Sequence, residues 1–89
     1  MNTLLVTRIM NFVDYTNKNC NCRDTISKIK DNNNGTITVV FKGHYGENFP
    51  LIFSLNENEL IITNENGQSI FDFLGHLDED TIKLLKFGE

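Results

Sequence analysis

Cys20, Cys22, His44 and His76 are the side chains of this chain suited to a soft or borderline metal. Four such ligands can complete a tetrahedral zinc site. Their spacing argues against one. Cys-x-Cys is tighter than the usual structural pairing, the two histidines have no paired spacing, and each follows a glycine (Gly43-His44, Gly75-His76). Asp31-Asn32-Asn33-Asn34-Gly35 resembles a calcium loop, but the register fails. With Gly35 at the sixth loop position, Lys30 and Phe41 fall where carboxylates are needed. Gly43-His44-Tyr45-Gly46 lacks the glycines and the lysine of a phosphate loop. A nucleophile would need a base and an orienting acid beside it, and no spacing unites such a trio. The expectation is a non-enzymatic protein with no metal and no cofactor.

The charge is divided unevenly. Residues 1–45 carry a balance of +3, with Arg8, Lys18, Arg23, Lys28, Lys30 and Lys42. Residues 46–89 carry −7. The acidic candidates for partner binding are Glu57 and Glu59, beside a hairpin turn, and Asp78, Glu79 and Asp80, at a helix start. Gly43–Phe49 is the most interaction-like connection, because Tyr45 and Phe49 flank Glu47 on a polar loop. Tyrosine suits interfaces by burying a large body while keeping a polar tip. The competing readings are that the carboxylates are solvated charges and that Tyr45 and Phe49 cover a sheet edge.

The elements that must position these residues follow from periodicity. Leu5, Ile9, Phe12 and Val13 fall at helical spacing, so residues 3–16 form a helix capped by Asn2 or Thr3. Asn17–Asn21 reads as loop. Residues 24–30 are ambiguous, with a strand favoured because the Asn/Gly-rich turn and an alternating run, Ile37, Val39 and Phe41, follow. Phe49, Leu51, Phe53 and Leu55 alternate in a second hairpin that turns at Asn56-Glu57-Asn58 and returns through Leu60–Thr63. Pro50 belongs at a strand start or an edge.

Ile70, Phe73, Leu74 and Leu77 suggest a helix capped by Ser69, although Asn66-Gly67 also signals a hairpin. Asp78 caps a last helix that stops at Gly88, with Leu77 and Ile82 in staple positions. The expected core is Leu5, Ile9, Phe12, Ile37, Val39, Phe41, Leu51, Phe53, Ile62, Phe73, Leu74, Leu77 and Leu85. The fold class is α+β: a small antiparallel sheet of about four strands in two hairpins, packed by an N-terminal helix and C-terminal helices.

Length and composition set the remaining bounds. The chain has 89 residues, 39% of them hydrophobic, enough for one small domain spanning 1–89 and too many for a disordered chain. No apolar run exceeds three residues, whereas a membrane span needs about 20. Met1–Val13 carries only Arg8 and no small-residue cleavage site, so it does not read as a signal peptide. A cytoplasmic location is expected. Thirteen asparagines, nine isoleucines and no alanine indicate an A/T-rich genome, such as that of a low-GC bacterium or its phage.

The leading expectation is a protein-binding module. It would be a small inhibitor of a host, defence or toxin protein, acting by occupying a basic surface. Two alternatives belong to other classes. One is a nucleic-acid-binding regulator using the basic N-terminal half, disfavoured by a pI near 5.0. The other is a homodimeric structural or assembly protein.

Overall fold

A computed structural model describes residues 2–19, 25–43, 45–73 and 77–88. Helix α1 (Thr3–Asn19) is followed by strands β1 (Thr25–Asp31), β2 (Ile37–Lys42), β3 (Asn48–Asn56) and β4 (Glu59–Thr63), a 3₁₀ turn at Ile70–Phe73, and helix α2 (Glu79–Phe87). The strands form one antiparallel sheet in the order β1-β2-β3-β4. The fold is thus the expected α+β arrangement.

Helix α1 starts where the Asn2 side chain accepts a hydrogen bond from the Leu5 N–H at 3.2 Å. It buries Leu5, Ile9, Phe12 and Val13 against the sheet. It runs on through Asn17–Asn19, where the sequence reading expects loop. These polar residues have modest helix propensity but include no glycine or proline to break the turn, and Lys18 sits at the negative helix end.

The ambiguous segment is a strand. β1 pairs with β2 from Thr25↔Lys42 to Asp31↔Ile37, with an irregularity between Ile26 and Lys28. The loop before β2 is closed by its own side chains. Asp31 Oδ1 accepts from the Asn33 N–H at 2.9 Å, and Asn34 Oδ1 accepts from the Thr36 hydroxyl at 2.7 Å. Asn32 Nδ2 donates to the hydroxyls of Thr36 and Thr38.

In β2 and β3, Ile37, Val39, Phe41, Leu51 and Phe53 point to the helices and are buried. Pro50 pairs with Val40 near the start of β3. The β4 ladder reaches only Ile52↔Thr63, so at Pro50 strand β3 has no β4 neighbour and the missing N–H costs nothing on that side. The β3–β4 turn has two central residues, Glu57 and Asn58, because Asn56 pairs with Glu59.

Of the expected helix over Ile70–Leu77, the described part is a 3₁₀ turn at Ile70–Phe73. Asn64 closes a turn by accepting the N–H groups of Asn66 and Gln68 on its side chain, and Thr63 bridges to Ser69. Turn chemistry around Asn66-Gly67 takes precedence up to Ser69, and Ile70–Phe73 follows as a 3₁₀ turn. Two core assignments change with it. Phe71 is buried, edge-on to Phe12 at 6.3 Å, while Phe73 is 59% exposed. Leu77 is half-buried, with Leu77 and Ile82 both packed against the core. Leu74 and Gly75 lie outside the described residues. Leu60 and Val13 complete the core.

Helix α2 begins and ends as its sequence requires. Asp78 Oδ1 accepts the Thr81 N–H at 2.7 Å. Gly88 takes the left-handed conformation (φ 76°), and its N–H reaches the Leu84 carbonyl at 2.8 Å. No helix among the described residues is long and apolar enough to cross a membrane.

Candidate protein-interaction surface

The candidate residues occupy three separate places. Tyr45 and Glu47 lie in the β2–β3 connection, at one end of the sheet. The Glu47 carboxylate accepts the Tyr45 N–H at 3.0 Å, and its backbone carbonyl accepts from Gly43 at 2.7 Å. A Cβ added to Gly43 would run into the Glu47 carboxylate. Glu47 therefore shapes this loop. Tyr45 is 92% exposed. Phe49 is half-buried and stacks on Phe41, with centroids 5.5 Å apart and planes at 19°. It belongs to the edge of the core, and Tyr45 is the aromatic that the loop presents.

Glu57 and Glu59 lie at the opposite end of β3. Nine strand residues separate the two ends, about 30 Å at ~3.3 Å per residue. Glu57 holds φ 57°, the left-handed region that side chains other than glycine and asparagine seldom occupy. Phe87, from the last turn of α2, is 44% exposed and lines one hollow together with Glu57, Asn58 and Glu59.

Asp78, Glu79 and Asp80 sit at the other end of α2. Its nine residues put about 13 Å between them and the Glu57–Glu59 corner. The acidic candidates therefore form two clusters, not one continuous face. Of the three, Asp78 is committed to its helix. The bonds from Thr81 to its ionised form hold its carboxyl below the ordinary value of 3.8.

The basic residues are also divided. Arg8 is buried on α1 and donates through Nη2 to two backbone carbonyls, that of Asn58 at 2.7 Å and that of Lys86. It is an internal tie between α1, the β3–β4 turn and the end of α2. Lys28, Lys30 and Lys42 share the sheet face that carries neither α1 nor the core, since Lys28 pairs with Val40, Lys30 with Thr38 and Lys42 with Thr25. That face also presents Thr38, Val40, Pro50, Ile52, Ser54, Ile61 and Thr63, with no aromatic side chain among the described residues.

Among the described residues, no group of three His, Cys, Asp or Glu side chains is placed to hold a metal. Cys20, Cys22, Arg23, His44 and His76 lie outside them. The Asp31–Gly35 segment uses its side chains to close its own turn, as above.

Sequence reasoning missed Leu84 and Phe87, which are 47% and 44% exposed. The signal was present. Helix α2 carries Ile82, Leu84, Leu85 and Phe87 in six positions, more apolar side chains than one buried stripe accepts. Leu85 takes the core, and Leu84 and Phe87 are left on the outer side with Asp80, one turn earlier.

These features define a two-layer α+β protein with an acidic corner around an exposed phenylalanine. No family model, curated protein or solved structure matches the chain.

Proposed function

We propose that the protein is a non-enzymatic protein-binding module, a small cytoplasmic inhibitor that occupies a basic surface of its partner. The observation that carries this reading is the corner where Phe87 stands beside Glu57 and Glu59. Interface energy concentrates in apolar anchors ringed by polar groups, and an acidic rim selects and steers a basic partner. Arg8 holds the two halves of this corner together through Asn58 and Lys86. The anchor is thus mounted on a fixed support, which lowers the ordering cost of association. Tyr45 and the Asp78–Asp80 cluster are secondary contacts in this reading, each on its own part of the surface.

A pull-down from the source cell tests it, with wild type compared against Phe87→Ser and against Glu57→Lys/Glu59→Lys. Loss of one protein from both variants, with their folds intact, supports the reading. Retention by both removes the corner from the interface, and the Asp78, Glu79 and Asp80 lysine variant and Tyr45→Ala are then the next comparisons.

A second reading rests on Lys28, Lys30 and Lys42, which cluster on one sheet face. Such a cluster attracts phosphate, but the described residues of that face include no aromatic side chain for base stacking. Capture of nucleic acid and no protein, lost on exchanging these lysines for glutamate, establishes it. Pairing of two β1 edges has less support. With the helices of both copies on one side and the register centred on Ile29, it would set Lys28 of one copy opposite Lys30 of the other, which is destabilising.

A further inference from the structure

We propose that the open edge of β1 binds an extended segment of a partner protein whose side chains alternate between acidic and apolar. This inference is independent of the acidic-corner reading, because the strand order places β1 three strands away from Glu59 on β4. The two edges of the sheet differ. β4 is continued by the bridge from Thr63 to Ser69, whereas no described residue pairs with the outer side of β1. The backbone groups on that side are a template for another strand. The irregularity between Ile26 and Lys28 leaves Lys28–Asp31 as the regular part of the edge, so the recognised segment is short.

The side chains along this stretch specify the occupant. Lys28 and Lys30 are exposed on the open face of the sheet, and neither has an ion-pair or hydrogen-bond partner among the described residues. Lys42, in the next strand, adds a third positive charge to that face. Asp31 lies in register with Ile37 on the core face, and its carboxylate accepts the Asn33 N–H. Ile29, between the two lysines, also points to the core face, in register with the buried Val39. Yet it is 44% exposed, since α1 packs mainly on β3 and α2 on β4. An added strand sets alternate residues beside these three. An acidic residue beside each lysine makes a cross-strand pair of opposite charge, and the apolar residue between them covers Ile29. A second copy of β1 offers lysines instead, so the edge disfavours its own copy and favours the opposite charge.

The test is a titration of the isotope-labelled full chain with a capped peptide of alternating glutamate and valine, following the backbone amide resonances of Lys28–Asp31. Three peptides serve as comparisons: alternating lysine and valine, the same glutamates and valines in two blocks, and an N-methylated acidic peptide that cannot pair. A saturable shift at Lys28–Asp31 with the alternating acidic peptide, weaker with the block peptide and lost on N-methylation, supports the site. Lys28→Glu/Lys30→Glu reverses two cross-strand charge pairs. It is expected to weaken the acidic peptide by about tenfold or more and to bind the lysine–valine peptide in its place. That exchange of partners is one that loss of structure would not produce. Glu57→Lys/Glu59→Lys is expected to bind the acidic peptide as wild type does, which separates this site from the acidic corner. The proposal is overturned if the alternating acidic peptide gives no saturable shift, or if the block or N-methylated peptide binds equally well. It is also overturned if the lysine double variant keeps wild-type preference, or if a single-stranded oligonucleotide binds these residues more tightly than the peptide.

Discussion

The Arg8 guanidinium donates to the backbone carbonyl of Lys86, 78 positions further along the chain. The contact joins the first helix to the last turn of the second, at the end where the α2 dipole is negative. The same nitrogen reaches the Asn58 carbonyl at 2.7 Å, so one side chain ties together α1, the β3–β4 turn and the end of α2. Gly88 leaves room for it, since a Cβ there would stand 3.2 Å from the guanidinium carbon. Arg8→Met keeps much of the aliphatic packing and removes both bonds. It is expected to cost about 2–3 kcal/mol in urea unfolding, the range for charge-assisted bonds whose acceptors are left behind. A variant as stable as wild type would mean that the tie contributes nothing.

Phe53 is fully buried, with Phe12 edge-on at 5.9 Å and Phe41 at 6.5 Å. Phe53→Ala is expected to cost roughly 3–5 kcal/mol, a large share of a small domain's stability. Phe73→Ala is the contrast. That ring is 59% exposed, so its truncation should stay within about 0.5 kcal/mol. Parallel denaturation curves check both, and equal effects would show that one ring is misplaced.

The difference between these two phenylalanines marks where the sequence was legible. Phe53 belongs to an alternating run between clear turns, and the period of two assigns its face without further information. Phe73 belongs to a segment where helical spacing and an Asn-Gly turn compete within a few residues. There the hydrogen bonds of Asn64 with Asn66 and Gln68 decide the outcome, and composition does not rank them. The candidate surface was less legible still. Glu57, Glu59 and Asp78–Asp80 look like one acidic half along the chain, but the length of α2 separates them. Arg8 looks like part of a basic set because periodicity says nothing about a charge buried by bonds to backbone atoms.

Glu57 offers a local test of the β3–β4 turn. Its φ of 57° strains a residue that carries a Cβ, a cost of order 1 kcal/mol or more. Glycine removes that strain but loosens the unfolded chain. The net expectation for Glu57→Gly is a gain of about 0.5–1 kcal/mol, read as a rise in the urea midpoint with an unchanged slope. A loss of stability would indicate that the carboxylate itself supports the turn.

Asp78 makes stability depend on pH in a definite direction. Its carboxyl lies below the ordinary value of 3.8 because the backbone and side chain of Thr81 bond to the ionised form, with a small opposing effect of burial. A group held low in the folded state stabilises it above the unfolded value and loses that contribution as pH falls through the folded value. The cap is therefore complete above about pH 4 and fades below it. Asp78→Asn keeps an oxygen for the Thr81 N–H but removes the charge from the positive end of α2. The variant should melt below wild type near pH 6, and the gap between them should close as pH falls toward about 2. Thermal melts of both proteins across this range decide the matter. A gap that stays constant to the acid limit would mean that Asp78 contributes as a neutral acceptor and that its ionisation is not coupled to folding.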